Sequence, residues 1–145
     1  MRSVAAPHRL LTISSLYPNS AMPTHGVFVE NRLRRLVVTG RVTATVIAPV
    51  PWVPLRAAGV GTYPIWASVP AIEIRHGLTI RHPRYGHLPK FGMGLQPWSM
   101  FRALRREFEV LRRAGHRFDL IDAHYFYPDG VAAARLARAV GLPYV

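Results

Sequence analysis

Two places in the chain combine residue types that can do chemistry. The first is the loop Leu16-Tyr17-Pro18-Asn19-Ser20-Ala21-Met22-Pro23-Thr24-His25-Gly26, which runs straight into an amphipathic segment. Unpaired backbone N–H groups and the helix dipole favour an anion such as phosphate at a helix start. Gly26 leaves space where a ligand would approach, and Thr24 is a candidate helix cap. The alternative is that Thr24 and Gly26 only shape the turn. The second place is His124, directly after Asp119-Leu120-Ile121-Asp122-Ala123. A neutral imidazole there can bond a substrate hydroxyl or move a proton; a structural histidine is the alternative. Asp122 and Asp129 are its candidate partners, and Asp122 shares its face only if the strand continues past Ala123.

Other chemistries find no support. The chain has no cysteine, hence no disulfide, thiolate nucleophile or cysteine zinc site. His82, His87 and His116 do not fall at a metal-binding spacing, and neither GxGxxG, a Walker-type Gly-Lys-Ser/Thr nor a Gly-x-Ser-x-Gly elbow occurs. No metal and no cofactor is expected.

The elements that must position these residues read as an α/β chain. Leu10–Ile13 is a short apolar strand. A helix is expected from about His25 to Val38, with Val29, Leu33, Leu36 and Val37 at helical spacing and Gly40 as its stop. Val42–Ala48 is β-branched and strand-like, which completes a βαβ unit. Pro49–Pro70 reads as irregular, Leu78–His82 as a strand after a turn at Gly77, and Pro83–Pro97 as a second long loop. Trp98–Ala114 forms a helix with Phe101, Leu104, Phe108 and Leu111 on one stripe. Asp119–Ala123 is a strand, Pro128-Asp129-Gly130 opens a further helix with Pro128 at its first position, Gly141 caps it, and Leu142–Val145 begins another strand. The parallel sheet is thus expected to be flanked by helices, with ligands beyond the carboxyl ends of its strands.

The chain has 145 residues, the size of one domain. It carries 19 Lys and Arg against 7 Asp and Glu, a net charge of +12, with Lys90 the one lysine. That charge favours anionic partners. On the helix Trp98–Ala114 the aromatics fall on the apolar stripe rather than between the arginines, which argues against base stacking and so against nucleic acid, while contact with an acidic membrane surface remains open. No run reaches the roughly 18 apolar residues of a membrane-spanning helix, and the N-terminus, with Arg2, His8 and Arg9 before a short apolar run, lacks the order of a signal peptide. A cytoplasmic protein, or one peripheral at the inner face of the membrane, is expected.

Taken in order, Leu16-Tyr17-Pro18-Asn19, Pro23-Thr24-His25-Gly26-Val27-Phe28-Val29-Glu30, Val46-Ile47-Ala48-Pro49-Val50-Pro51-Trp52, His82-Pro83-Arg84-Tyr85 and Asp122-Ala123-His124-Tyr125-Phe126-Tyr127-Pro128-Asp129-Gly130 resemble the N-terminal half of family-four glycosyltransferases, the group-one retaining enzymes of GT-B architecture. The likeness spans nearly all 145 residues. It implies a Rossmann-like, acceptor-side domain over 1–145, truncated within its last strand and lacking the C-terminal domain with its paired glutamates. It implies a nucleotide-sugar donor and a glycan or lipid-linked acceptor, as in cell-envelope polysaccharide synthesis. Gly26, with His25 and Thr24, would lie at the donor diphosphate and His124 at the transferred sugar; Trp52, Tyr85, Tyr125 and Asp129 are the acceptor-side candidates. The chain alone is expected not to turn over, because the grip on the leaving diphosphate, usually the large catalytic term, lies in the other domain. The competing readings are a basic anion- or nucleic-acid-binding module and a non-catalytic partner of a separate catalytic half.

Overall fold

A computed structural model of the chain describes residues 5–54, 61, 63–88 and 93–145. Parts of the two long loops expected from sequence, 55–60, 62 and 89–92, and Arg2 lie outside the described residues.

Among the described residues, seven strands and four α-helices follow one another: β1 His8–Ile13, α1 Val27–Val38, β2 Val42–Ile47, β3 Val50–Trp52, α2 Tyr63–Ser68, β4 Ile72–Arg75, β5 Leu78–Arg81, β6 Arg84–Gly86, α3 Gln96–Arg113, β7 Leu120–Ala123 and α4 Val131–Val140. The main sheet has the order β4-β5-β2-β1-β7. β1 pairs in parallel with β2 on one side and with β7 on the other, and β2 pairs in parallel with β5. The β4–β5 hairpin, turning at His76-Gly77, is antiparallel. The expected parallel sheet therefore carries one antiparallel edge strand, a common variation in α/β folds. Beyond β7, Tyr144 bridges Ile121 in parallel, so the terminal Leu142–Val145 stretch lies as expected along the next position of the sheet.

Period-two alternation divides the core. Leu10, Val46, Leu78 and Ile80 meet Val29 and Leu33 of α1 on one face. Leu11, Ile13, Ile47 and Ile121 meet Met100, Leu104 and Phe108 of α3 and Leu136 of α4 on the other. α1 begins two residues later than its periodicity predicts because Gly26, at φ 55° and ψ 31°, sits in the left-handed region just outside it. Gly141, at φ 71°, closes α4 as expected.

The segment Pro49–Pro70 is less irregular than the sequence suggests. It holds β3 and α2, and β3 pairs with β6 from the second loop, three residues against three. β4 is likewise an addition to the sequence reading. Pro128 does not open α4: it lies, after a cis Tyr127–Pro128 bond, in a separate helical turn, Phe126–Gly130, and α4 itself starts at Val131.

Candidate active site

The chain runs from β1 outward to β2 and then β5, returning to the other side of β1 as β7. The order of the sheet reverses between β1 and β7, and open α/β sheets bind ligands at such a switch point. The two loops singled out by their chemistry, after β1 and after β7, leave the sheet side by side at this place.

The loop after β1 is folded by its own polar groups. The Asn19 side-chain carbonyl accepts from the N–H groups of Ala21 (3.0 Å) and Met22 (2.9 Å). Two outside carboxylates hold it: Asp129 Oδ2 accepts from Ser15 N–H at 2.6 Å, and Glu73 Oε2 from Ser20 N–H at 3.2 Å. Gly26 closes it. A Cβ on Gly26 would lie 1.9 Å from the Leu16 carbonyl oxygen, so the space it leaves is filled by the chain's own backbone and not left for a ligand. Thr24 is exposed, and Gly26, the residue before α1, provides no side-chain cap, so the expected Thr24 cap does not form. His25 turns inward and lines a cavity of about 260 Å³ together with Tyr17, Trp66, Tyr85, His87 and Gln96. His82 lines it too, but its ring is committed: Nδ1 is 3.0 Å from the Ala48 carbonyl and Nε2 2.9 Å from Glu73 Oε1.

After β7 the ladder continues one residue. His124 N–H donates to the Ile13 carbonyl at 2.9 Å, which keeps the strand extended and sets His124 on the same face as Asp122. Their side chains meet, His124 Nε2 to Asp122 Oδ2, at 3.1 Å. From α1, Arg32 reaches both, with Nη1 2.9 Å from Asp122 Oδ2 and 3.0 Å from His124 Nε2. Thr12, paired with Asp122 across β1 and β7, donates its hydroxyl to the same oxygen at 3.3 Å. Burial of Asp122 by itself raises its pKa, but the hydrogen bonds from His124 and Arg32 outweigh it and hold the carboxyl below its ordinary value.

The other candidates separate. Asp129 is completely buried. It holds Ser15 rather than facing an acceptor, and burial pushes its pKa up to about 6. Tyr85 is a core residue whose hydroxyl meets Gln96 Nε2 at 3.3 Å, and burial pushes it up to about 12. Trp52 and Tyr125 are more than half exposed. Tyr125, at φ 87°, lines a different, open hollow of about 610 Å³ beside α4. Of the residues expected in one site, the structure brings His25 and Tyr85 to the smaller cavity and keeps His124 with Asp122. Arg32 is the residue that sequence reasoning missed. Its partners lie 90 and 92 residues away, and on α1 it reads as one more solvent-facing arginine. Among the described residues no cluster of His, Asp or Glu suits a metal ion, and no helix is long and apolar enough to cross a membrane.

No family model matches the chain. Two proteins are similar to it in sequence. TuaC of Bacillus subtilis (strain 168), named as a teichuronic acid biosynthesis glycosyltransferase, is 33% identical over 139 residues, covering 94% of this chain and 35% of its own length. D-inositol 3-phosphate glycosyltransferase 1 of Catenulispora acidiphila is 29% identical over 151 residues, covering 99% of this chain and 31% of its own length. The chain thus spans about a third of the curated relatives it matches. Along nearly its whole length, then, this mostly parallel α/β chain is similar to a portion of two glycosyltransferases.

Proposed function

We propose that the chain is the N-terminal, acceptor-side portion of a retaining glycosyltransferase of the GT-B type, family four. It would move a sugar from a nucleotide-sugar donor to a glycan or lipid-linked acceptor in cell-envelope polysaccharide synthesis. One observation carries the reading: a histidine with a dedicated carboxylate stands at the switch point of a parallel sheet, in a chain similar to two glycosyltransferases. His124 contacts the transferred sugar. The turn Thr24-His25-Gly26 faces the donor diphosphate through its side away from Leu16, with Gly26 shaping the turn rather than making room for the ligand, while the His25 ring and Tyr85 serve the acceptor side, with exposed Trp52 and Tyr125 at its rim. A second Rossmann-like domain, with paired glutamates, forms the other wall.

The test has two arms. In the 145-residue chain alone, nucleotide-sugar-dependent transfer is absent; robust turnover would sink the proposal. In a longer protein that includes this chain, transfer is present and His124→Ala lowers it by about 10²-fold, the size of losing one well-placed polar contact in a transition state. An unchanged rate in that variant removes His124 from the site.

The reading also includes a cytoplasmic location with peripheral contact to acidic membrane through α3. Its outer face carries Arg102, Arg105, Arg106 and Arg113 around a half-exposed Trp98, and the Arg102 guanidinium lies 4.9 Å from the centre of the Trp98 ring. Arginines beside an aromatic suit an anionic headgroup layer. Sedimentation with phosphatidylglycerol vesicles but not with phosphatidylcholine vesicles, reversed by salt, is the expected outcome.

A further inference from the structure

The group that faces a substrate from His124 depends on which ring nitrogen holds the proton, and the surroundings of the ring decide this. Three groups converge on Asp122 Oδ2: Thr12 Oγ1, Arg32 Nη1 and His124 Nε2. A guanidinium has donors only, and an ionised carboxylate has acceptors only. If Nε2 were bare, Arg32 could donate to it, but its lone pair would then face a carboxylate oxygen at 3.1 Å. If Nε2 carries the proton, it stands 3.0 Å from a second donor, Arg32 Nη1, but both N–H bonds then point at the same carboxylate oxygen rather than at each other, a smaller repulsion than a lone pair held against an anion. The other nitrogen, Nδ1, has no partner among the described residues and is not sealed from solvent.

We propose that Asp122 is the positioning residue of His124: it takes the Nε2–H and thereby turns a bare Nδ1 outward as an acceptor for a hydroxyl group of the transferred sugar. The inference rests on the transferase reading and deepens it, because a bare nitrogen accepts from a neutral hydroxyl and repels an ionised phosphate. In its neutral form His124 therefore presents an acceptor suited to a sugar hydroxyl and not to the diphosphate. Arg32 acts at one remove. It sits half-exposed on α1 and offsets the buried charge of Asp122, joining α1 to β7 without fixing the tautomer. Thr12, one strand away in register, gives the carboxylate a third anchor.

The experiment is long-range ¹H–¹⁵N correlation of the 145-residue chain with ¹⁵N-labelled histidine, at about pH 8.5 where an ordinary imidazole is neutral. The variant His124→Gln assigns the signals. In the unsubstituted chain the Nε2–H form of His124 exceeds the Nδ1–H form by roughly tenfold or more, as one charge-assisted hydrogen bond requires. Asp122→Ala returns the ratio to that of free histidine. Asp122→Asn, which keeps an acceptor oxygen, retains part of the preference, and Arg32→Ala retains it. The His82 signals report whether each variant is folded, and if Asp122→Ala does not fold, the unsubstituted chain and Asp122→Asn decide. A dominant Nδ1–H form, a ratio indifferent to Asp122, or release by Arg32→Ala overturns the proposal. No sugar or nucleotide is present, so absence of transfer by the longer protein beside an intact Nε2–H tautomer rejects the transferase reading alone, whereas transfer by the longer protein without that tautomer rejects the positioning role alone.

Discussion

Replacing Gly26 by alanine separates two reasons for a glycine, because Gly40 provides a matched control. Both sit at positive φ, 55° and 71°. An alanine in that region costs about 1–2 kcal/mol, partly offset by about 0.4–1 kcal/mol from a stiffer unfolded chain. Nothing lies within 4 Å of a Cβ at Gly40, so Gly40→Ala loses about 1 kcal/mol or less. At Gly26 the new Cβ stands 1.9 Å from the Leu16 carbonyl oxygen and 2.7 Å from its carbon. Ordinary contact begins near 3.4 Å, so the Leu16 backbone must retreat by about 1.5 Å, the difference of the two distances. Ser15 is bonded to Asp129 one residue before Leu16. Moving it strains or breaks a hydrogen bond to a buried carboxylate, a loss of about 1.5–3 kcal/mol. Gly26→Ala should therefore lose about 2–4 kcal/mol in total, a large share of a domain's usual 5–15 kcal/mol. Urea denaturation followed by circular dichroism measures both variants. If Gly26→Ala loses no more than Gly40→Ala, the Leu16 carbonyl does not close on Gly26 and the account of this loop is wrong.

Further perturbations address the core and the buried charges. The carboxyl of Asp129 titrates at about 6 when folded against an ordinary value of 3.8. A raised folded pKa adds stability that is full below pH 4 and lost as pH rises through 6. The stability of the unsubstituted chain minus that of Asp129→Asn should fall by up to about 3 kcal/mol between pH 4 and 7, and a flat difference in urea titrations would contradict it. Glu30 is buried against Arg75, Nε to Oε1 2.8 Å, so Arg75→Ala strands a buried charge and should lose about 3 kcal/mol or more. Arg112→Ala, at a more exposed pair within α3, should be nearly silent in the same melts. Leu104→Ala, at a fully buried position, should cost about 2–5 kcal/mol; a loss below 1 kcal/mol would mean that α3 does not pack as described.

The long amphipathic helices and the β-branched strand were legible because a buried stripe needs periodicity, and α1, β2 and α3 each run long enough to display it. β3 and β6 were not: three residues give no period, and each is a strand only because the other lies beside it. β4 escaped for another reason. Ile72-Glu73-Ile74-Arg75 alternates, but its isoleucines are exposed on an edge, so the alternation marks no core. At the site, the pairing of Asp122 with His124 was readable at a separation of two, subject to the strand continuing. Arg32 was not, since its contact across 90 residues depends on a long side chain reaching from α1 to a strand that enters the sheet only at residue 120. Asp129 looks like a ligand-facing group in sequence, yet it is buried against the Ser15 N–H, and Tyr85 packs most of its ring in the core while still lining the cavity beside His25.

The position of β1 between β2 and β7 has a consequence for synthesis on the ribosome. The buried partners of the α1 face (Leu10, Val46, Leu78 and Ile80 with Val29 and Leu33) have all been synthesised once residue 81 is added. The opposite face of the same strands, with Leu11, Ile13 and Ile47, stays uncovered until α3 and α4 follow. β7 then pairs with β1 across 110 residues, and such distant pairings are slow to form. A half-made chain therefore presents a wet apolar sheet face and an open β1 edge, the features that invite aggregation. The crevice between β1 and β7, where His124 stands, comes into being only after α3 has been made.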